Sequence, residues 1–189
     1  GDIFQGTPYF NFFQGDLELS LMKKMGYNAA TIGNHEFDAG LKTLKQNIIN
    51  NDFQFISSNY DFTNTELEGL IDKYKIYNKG GVKIGVFGLG IELNGLVNPL
   101  LYNETKYYDP VDIAKDMTSK LKFEEKCDLV ICISHLGHQY QLDKISDTKL
   151  AKLTSNIDLI IGGHTHTLLK EPLILNNSLG EEVIINQVG

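Results

Sequence analysis

The chain has 189 residues, of which 42% are hydrophobic and 22% are charged, so it is long enough to bury a core and has the composition of an ordinary globular domain. Its 17 basic and 24 acidic side chains give a net charge of −7, which argues against general nucleic-acid binding, because affinity for a phosphate backbone depends on a cationic surface. Every basic residue is a lysine. A bound phosphate must therefore be held by metal ions, histidine, asparagine, lysine or backbone N–H groups, since no guanidinium is present.

The hydrophobic pattern predicts alternating helices and strands from residue 17 onward. Apolar residues at helical spacing predict a helix over 17–25, followed by a strand over 29–32, a helix over 41–50 and a strand over 53–57. This β-α-β order is typical of parallel strands joined by crossover helices. We therefore expect an α/β fold.

The aromatic run at the start of the chain has two possible interpretations. Tyr9, Phe10, Phe12 and Phe13 could stack on a nucleobase, but their near-helical spacing is more typical of core residues. We therefore predict that they are buried.

Later segments continue the alternation. Residues 74–77 and 82–89 flank a glycine-containing turn and predict a hairpin, a second hairpin surrounds 176–180, and 94–108 has no clean period, which predicts an irregular loop. The remaining predicted elements are a helix over 109–125, a strand over 129–133, a helix over 145–153 and a strand over 157–161.

Neither the cysteines nor the apolar runs suggest a covalent or membrane-spanning architecture. In a strand, Cys127 and Cys132 would stand about 16 Å apart, too far for a disulfide, so we expect two buried thiols. No apolar run approaches the length of a membrane span, and no signal sequence opens these residues.

Four of the five histidines lie in three short motifs, each directly after an apolar run. The motifs are GNHEFDAG at 33–40, SHLG at 134–137 and GGHTH at 162–166. Ligands collect at the carboxyl ends of parallel strands, so residues just beyond these strands are expected at one edge of the sheet. Histidine with asparagine or aspartate suits a pair of divalent metals.

Single residues of this set are weak signals. Taken alone, His135 could be a satisfied core histidine, and Asn34 could be a turn residue. His164 and His166 alternate behind two glycines, and in extended backbone their rings face the same side.

His35 and Asp38 suggest a different chemistry. A carboxylate three positions after an imidazole can orient it and stabilise its protonated form, which makes a good partner for a phosphate oxygen. Alternatively, Asp38 caps local N–H groups beside an exposed histidine. Glu36, between them, is interpreted as a local hydrogen-bonding group rather than a base.

Four ordered motifs resemble a known family. Gly1-Asp2, Gly33–Glu36, the block around His135 and Gly162–His166 resemble the calcineurin-like metallophosphoesterases, and GNHEFDAG with GDIFQGTPYF is similar to the catalytic domain of the 5′-nucleotidases. The resemblance covers essentially the whole chain. It implies an α/β metallophosphoesterase-type β-sandwich flanked by helices, with residues 1–189 forming one catalytic domain.

The resemblance also implies a role for each motif residue. Asp2 would bridge two divalent metal ions, Zn²⁺, Mn²⁺ or similar; Asn34, His135 and His164 would complete the shell of the second metal, and His166 would serve the first. Asn34 and His35 would also contact substrate. His35, oriented by Asp38, would stabilise the phosphoryl transition state while a metal-bound hydroxide attacks phosphorus in line.

One part of the family pattern is missing from these residues. The family carries an Asp-x-His motif upstream of the position of Gly1-Asp2, with two further ligands for the first metal, and no such motif occurs here. We therefore expect the 189 residues to be a fragment, truncated at both ends, that lacks the first strand and any C-terminal nucleotide-binding domain, and that is poorly active by itself.

The leading functional hypothesis is metal-dependent hydrolysis of phosphomonoesters, most of all nucleoside 5′-monophosphates. A cyclic-nucleotide or other phosphodiesterase remains an alternative, because the same two-metal core accepts diesters, and the absent ligands leave open an inactive metal-binding interaction domain. The expected partner is a small nucleotide or phosphoester, not nucleic acid. The resemblance further implies export to the periplasm or cell surface.

Overall fold

The computed structural model describes all 189 residues as an α/β fold in which two sheets face each other. The α-helices are α1 (Pro8–Phe13), α2 (Asp16–Lys24), α3 (Gly40–Asn51), α4 (Pro99–Tyr102), α5 (Pro110–Ser119) and α6 (Asp147–Leu153). The strands are β1 (Ala30–Thr31), β2 (Phe55–Ile56), β3 (Tyr60–Asp61), β4 (Tyr74–Lys79), β5 (Val82–Leu89), β6 (Lys106–Tyr107), β7 (Leu129–Ser134), β8 (Leu159–Ile161), β9 (Leu173–Asn176) and β10 (Glu182–Asn186). A 3₁₀ turn covers His35–Phe37, and a π-helical turn over Lys120–Glu124 extends α5.

The large sheet has six strands in the order β4-β5-β7-β8-β10-β9. The four inner strands are parallel, and the two edge strands are antiparallel to their neighbours. Both predicted hairpins are therefore confirmed, and the first turns at Gly80-Gly81, where both residues have positive φ. A sheet of this type places the carboxyl ends of β7 and β8 side by side.

Two apolar clusters form the core. One lies between the large sheet and helices α5 and α6, and includes both cysteines, which are buried and free as predicted. The other surrounds Phe37 and joins α1, α2 and α3 to the small parallel sheet β1-β2. β1 also contacts β5 and β7, so the small sheet faces the large one. The predicted α/β sandwich flanked by helices is confirmed.

Two local predictions are wrong. Residues 94–108 are not one irregular loop, because Asn98 caps the short helix α4, which has Pro99 in its first turn, and β6 pairs with β3. The aromatic run is not core: α1 buries only Phe10, against Phe4, and leaves Tyr9, Phe12 and Phe13 half or more exposed. A single turn and a half of helix can bury only one face.

The longest α-helix has twelve residues, and none of the helices has the length and hydropathy needed to cross a bilayer.

Candidate metal centre and catalytic histidine

The three histidine motifs follow three strands, as predicted, but those strands do not share one sheet. His135 comes directly after β7, and His164 lies three residues after the end of β8 in the same large sheet. Asn34 follows β1, which belongs to the small sheet. The site is therefore assembled where two facing sheets end, rather than along the edge of one.

Four of the predicted ligands come together at this point. Single ligand atoms of Asp2, His135 and His164 all lie within 4.8 Å of one another. The Nε2 atom of His135 is 2.8 Å from Oδ2 of Asp2, and Nδ1 of His164 is 3.0 Å from Oδ1 of Asn34. These residues are separated by up to 162 positions in sequence, and only the fold brings them into contact.

The buried imidazole of His135 indicates that this cluster fits a divalent cation. The residue is 1% exposed; its Nε2 contacts the carboxylate of Asp2, and its Nδ1 has no hydrogen-bond partner. A buried polar nitrogen without a partner is unfavourable. Two imidazoles, a carboxylate and an amide oxygen form a donor set that suits zinc or manganese.

The local electrostatics keep two of these candidate ligands in the form that a metal requires. Burial raises the pKa of Asp2, but the contact with His135 and the backbone N–H of His35 outweigh it and lower that pKa to about 2. Burial, with smaller electrostatic effects of neighbouring side chains, lowers the pKa of His164 to about 4, although the charge of Asp2 acts in the opposite direction. A carboxylate and a neutral imidazole are therefore present at neutral pH, as metal binding demands.

His35 lies beside the cluster and is held by two carboxylates. Its Nδ1 is 2.7 Å from Oδ2 of Asp38, and its backbone N–H donates to Oδ1 of Asp2 at 2.9 Å. Partial burial lowers the pKa of His35, but the hydrogen bond to Asp38 and the charges of Asp2 and Asp38 outweigh it and raise that pKa. The imidazolium form is thus favoured.

Glu36 fixes the two loops that carry Asp2 and Asn34. Its carboxylate is fully buried and accepts the backbone N–H groups of Asp2, Ile3 and Gly33. The interpretation as a hydrogen-bonding group is confirmed, but only the bond to Gly33 is local in sequence.

Gly33 shows why the first motif begins with glycine. A Cβ at this position would lie 2.3 Å from Oδ1 of Asp2, so any side chain would displace the carboxylate. The close packing of the motif on Asp2 is therefore part of how the site is built.

His166 lies outside the group of three. Its side chain is exposed, and its φ of 50°, like the φ of 74° at His164, is in the left-handed region. The expectation of extended backbone over 164–166 is wrong, because the chain turns immediately after Gly163. A role for His166 as a ligand of the first metal stays a prediction.

Gln187 is a residue near the site that the sequence did not identify. It follows β10 and contacts the GGHTH loop through its side-chain amide, although the sequence predicted only the second hairpin in this region. The sequence signal that could have identified Gln187 is its position as a polar residue directly after an apolar strand. Because β10 is parallel to β8, both strands end at the same edge of the sheet.

An α/β sandwich that gathers histidine, aspartate and asparagine beyond its strand ends, next to a histidine–carboxylate pair, defines a phosphoesterase of the metal-dependent class. The chain belongs to the calcineurin-like phosphoesterase family, which it matches over residues 1–168. The resemblance predicted from the motifs is confirmed.

Relatives within the family include the 5′-nucleotidases. The chain is 33% identical over 172 residues to the 5′-nucleotidase of Vibrio cholerae, covering 87% of this chain and 31% of that protein. It is 31% identical to the trifunctional nucleotide phosphoesterase protein YfkN of Bacillus subtilis, over 99% of this chain and 14% of that protein.

Among solved structures, a 5′-nucleotidase precursor from Thermus thermophilus superposes with a TM-score of 0.87 at 30% identity, over 99% of this chain and 38% of that one. The chain thus spans well under half the length of these relatives.

Proposed function

We propose that this chain carries the catalytic site of a metal-dependent phosphomonoesterase that hydrolyses nucleoside 5′-monophosphates. The observation that carries the proposal is the convergence of Asp2, Asn34, His135 and His164 beside the His35–Asp38 pair. One group binds cations and the other supplies a protonated imidazole. Both would stabilise the transition state of phosphate ester hydrolysis, in which negative charge is spread over the phosphoryl oxygens and develops on the leaving-group oxygen.

The residues of the chain divide into holding and catalytic roles. Asp2, Asn34, His135 and His164 would hold one divalent cation, and Asp2 with His166 would contribute to a second. The cations, Zn²⁺ or Mn²⁺ from the donor set, would neutralise phosphoryl oxygens and supply Lewis-acid activation of the attacking water. Because these residues contain no arginine, the positive charge that they themselves would add at the phosphate comes from side chains such as His35.

His35 is the proposed catalytic residue, and Asp38 is its positioning residue. Because Nδ1 of His35 is engaged by Asp38, Nε2 is the nitrogen free to donate to a phosphoryl oxygen. The carboxylate also fixes the ring and favours the imidazolium, so the donor is charged when the substrate binds.

The test is metal-dependent phosphate release by the full-length protein that contains this chain. After chelator treatment, we expect Mn²⁺ or Zn²⁺ to restore phosphate release from AMP, and His35→Ala to abolish release while leaving metal binding intact. Parallel assays use bis(p-nitrophenyl) phosphate and a 2′,3′-cyclic nucleotide. Hydrolysis of the diesters alone would contradict the monoesterase proposal, and metal binding without any hydrolysis would indicate an inactive interaction domain.

A nucleotide phosphodiesterase is the second candidate. It is favoured by the relative from Bacillus subtilis, which matches 99% of this chain and is named a trifunctional nucleotide phosphoesterase. In the same assays, comparable release from AMP and from the cyclic nucleotide would support this broader activity.

We further propose that the protein is exported, as the family resemblance implies, and that residues 1–189 act as one catalytic domain. Cell fractionation with an antibody against this chain tests the location. Recovery of the protein only with cytoplasmic markers would contradict export.

A further inference from the structure

The side chain of Gln187 contacts the residues before, between and after the two histidines of the GGHTH loop. The side chain is buried, with 1% exposure. Its Nε2 donates to the backbone oxygen of Gly163 at 2.7 Å, and its Oε1 accepts from Oγ1 of Thr165 at 3.0 Å and from the backbone N–H of Thr167. One amide group therefore binds the three residues that alternate with the two histidines.

The backbone that carries these histidines is strained. His164 has a φ of 74° and His166 a φ of 50°, a region that is uncommon for residues other than glycine. Such conformations cost free energy and persist only where the surrounding structure holds them in place. Gln187 supplies hydrogen bonds to the residues on either side of both positions.

The main chain of the same segment reinforces the contact. The backbone oxygen of Gln187 accepts from the N–H of Leu169 at 3.0 Å, and the oxygen of Asn186 accepts from Gly162 at 2.8 Å. Backbone hydrogen bonds thus join the end of β10 to the start of the loop and to the segment just after it. The Gln187 side chain bonds to the residues in between. Because β10 lies beside β8 in the large sheet, the contact is made from a rigid element.

We propose that Gln187 is a positioning residue of the metal centre, which holds His164 and His166 in the orientation that binds cations through its bonds to Gly163, Thr165 and Thr167. This inference rests on the proposed metal site. Groups that orient metal ligands commonly change metal affinity by about 10- to 100-fold when they are removed. A residue that only packed the core would change stability and leave the affinity of the folded protein unaltered.

Asn59 provides a matched control. It is also a fully buried amide, and it bridges two backbone atoms, accepting from the N–H of Gly90 and donating to its oxygen, both at 2.8 Å. Gly90 is not part of the GGHTH loop. Gln187→Met and Asn59→Leu therefore both remove a buried amide, but only the first releases the GGHTH loop.

The first measurement is Mn²⁺ affinity by isothermal titration of chelator-treated full-length protein. We expect Gln187→Met to weaken binding about 10-fold or more, and Asn59→Leu to change it less than about twofold, although both variants lose stability. Gln187→Asn, which keeps the amide but shortens its reach, replaces the methionine variant if that variant does not fold. Equal affinities in the wild type and the Gln187 variant would overturn the proposal.

The second measurement does not require metal. In the cation-free protein, hydrogen exchange of the Thr167 amide should accelerate in Gln187→Met and stay slow in Gln187→Glu, which keeps an acceptor for that N–H. Failure of the wild type to bind Mn²⁺ would refute the metal site itself. Unchanged exchange at Thr167 in the methionine variant would refute the positioning role of Gln187, independently of the metal site.

Discussion

Asp147 is a buried acid whose ionisation should oppose folding near neutral pH. It begins α6, is fully buried, and accepts a hydrogen bond from Oγ of Ser134 at 2.5 Å, while its second oxygen has no partner and lies against Gly162. No lysine forms an ion pair with it. Burial raises its pKa to about 7, although the bond from Ser134 acts in the opposite direction.

The sign of the effect follows from linkage. Well below the unfolded pKa of about 3.9, at about pH 2.5 and lower, Asp147 is protonated in both the folded and the unfolded chain and has no effect on the pH dependence of stability. As the pH rises towards 7, only the unfolded chain ionises readily, and stability falls. A pKa increase of about 3 units corresponds to roughly 4 kcal/mol, reached in full only above the folded pKa. Most of that loss, roughly 2 to 3 kcal/mol, falls between pH 5 and pH 8.

Asp147→Asn tests this directly. The amide keeps the acceptor for Ser134 but cannot ionise, so the difference in unfolding free energy between variant and wild type should increase in favour of the variant by roughly 2 to 3 kcal/mol from pH 5 to pH 8. Urea denaturation at half-unit pH steps measures it. The test depends on how the difference in unfolding free energy changes with pH, not on its size at any one pH, since the new NH₂ group is buried without an assigned partner.

Asp52→Asn is the control, because the Asp52 side chain is 95% exposed and paired only with Lys23. Stability curves of Asp147→Asn and wild type that run parallel from pH 5 to pH 8 would refute the reasoning.

Three further predictions concern the site. Glu36→Gln should destabilise the fold by roughly 2 to 4 kcal/mol in urea denaturation at pH 7, because an NH₂ group replaces an acceptor of several buried N–H groups; a loss below about 0.5 kcal/mol would contradict this. Gly33→Ala should weaken Mn²⁺ binding by displacing Asp2, and calorimetry showing unchanged affinity would count against that packing. Asp38→Asn should lower kcat for AMP by about 10-fold or more and shift the alkaline limb of the pH–rate profile to lower pH, because His35 loses its charged partner; unchanged kcat and profile would remove Asp38 from the mechanism.

The sequence alone determined the class of fold and predicted most of the residues that meet at the site. Periodicity gave the order of helices and strands, because burial of one face imposes a local repeat on the chain. The strand-following motifs also predicted that Asn34, His135 and His164 would meet, and they do. These signals are local in sequence, and each depends on a residue's immediate neighbours.

The tertiary structure decided those features that depend on contacts between residues far apart in sequence. Three features depend on which elements pack together. Asn34 reaches the site from a separate sheet, and His164 and His166 lie on turned rather than extended backbone. Only Phe10 of the aromatic run is buried. Gln187 is the clearest case. Its bonds join positions 187 and 163–167 across two neighbouring parallel strands, and a register of that kind is set by the packing of the whole sheet rather than by any local pattern.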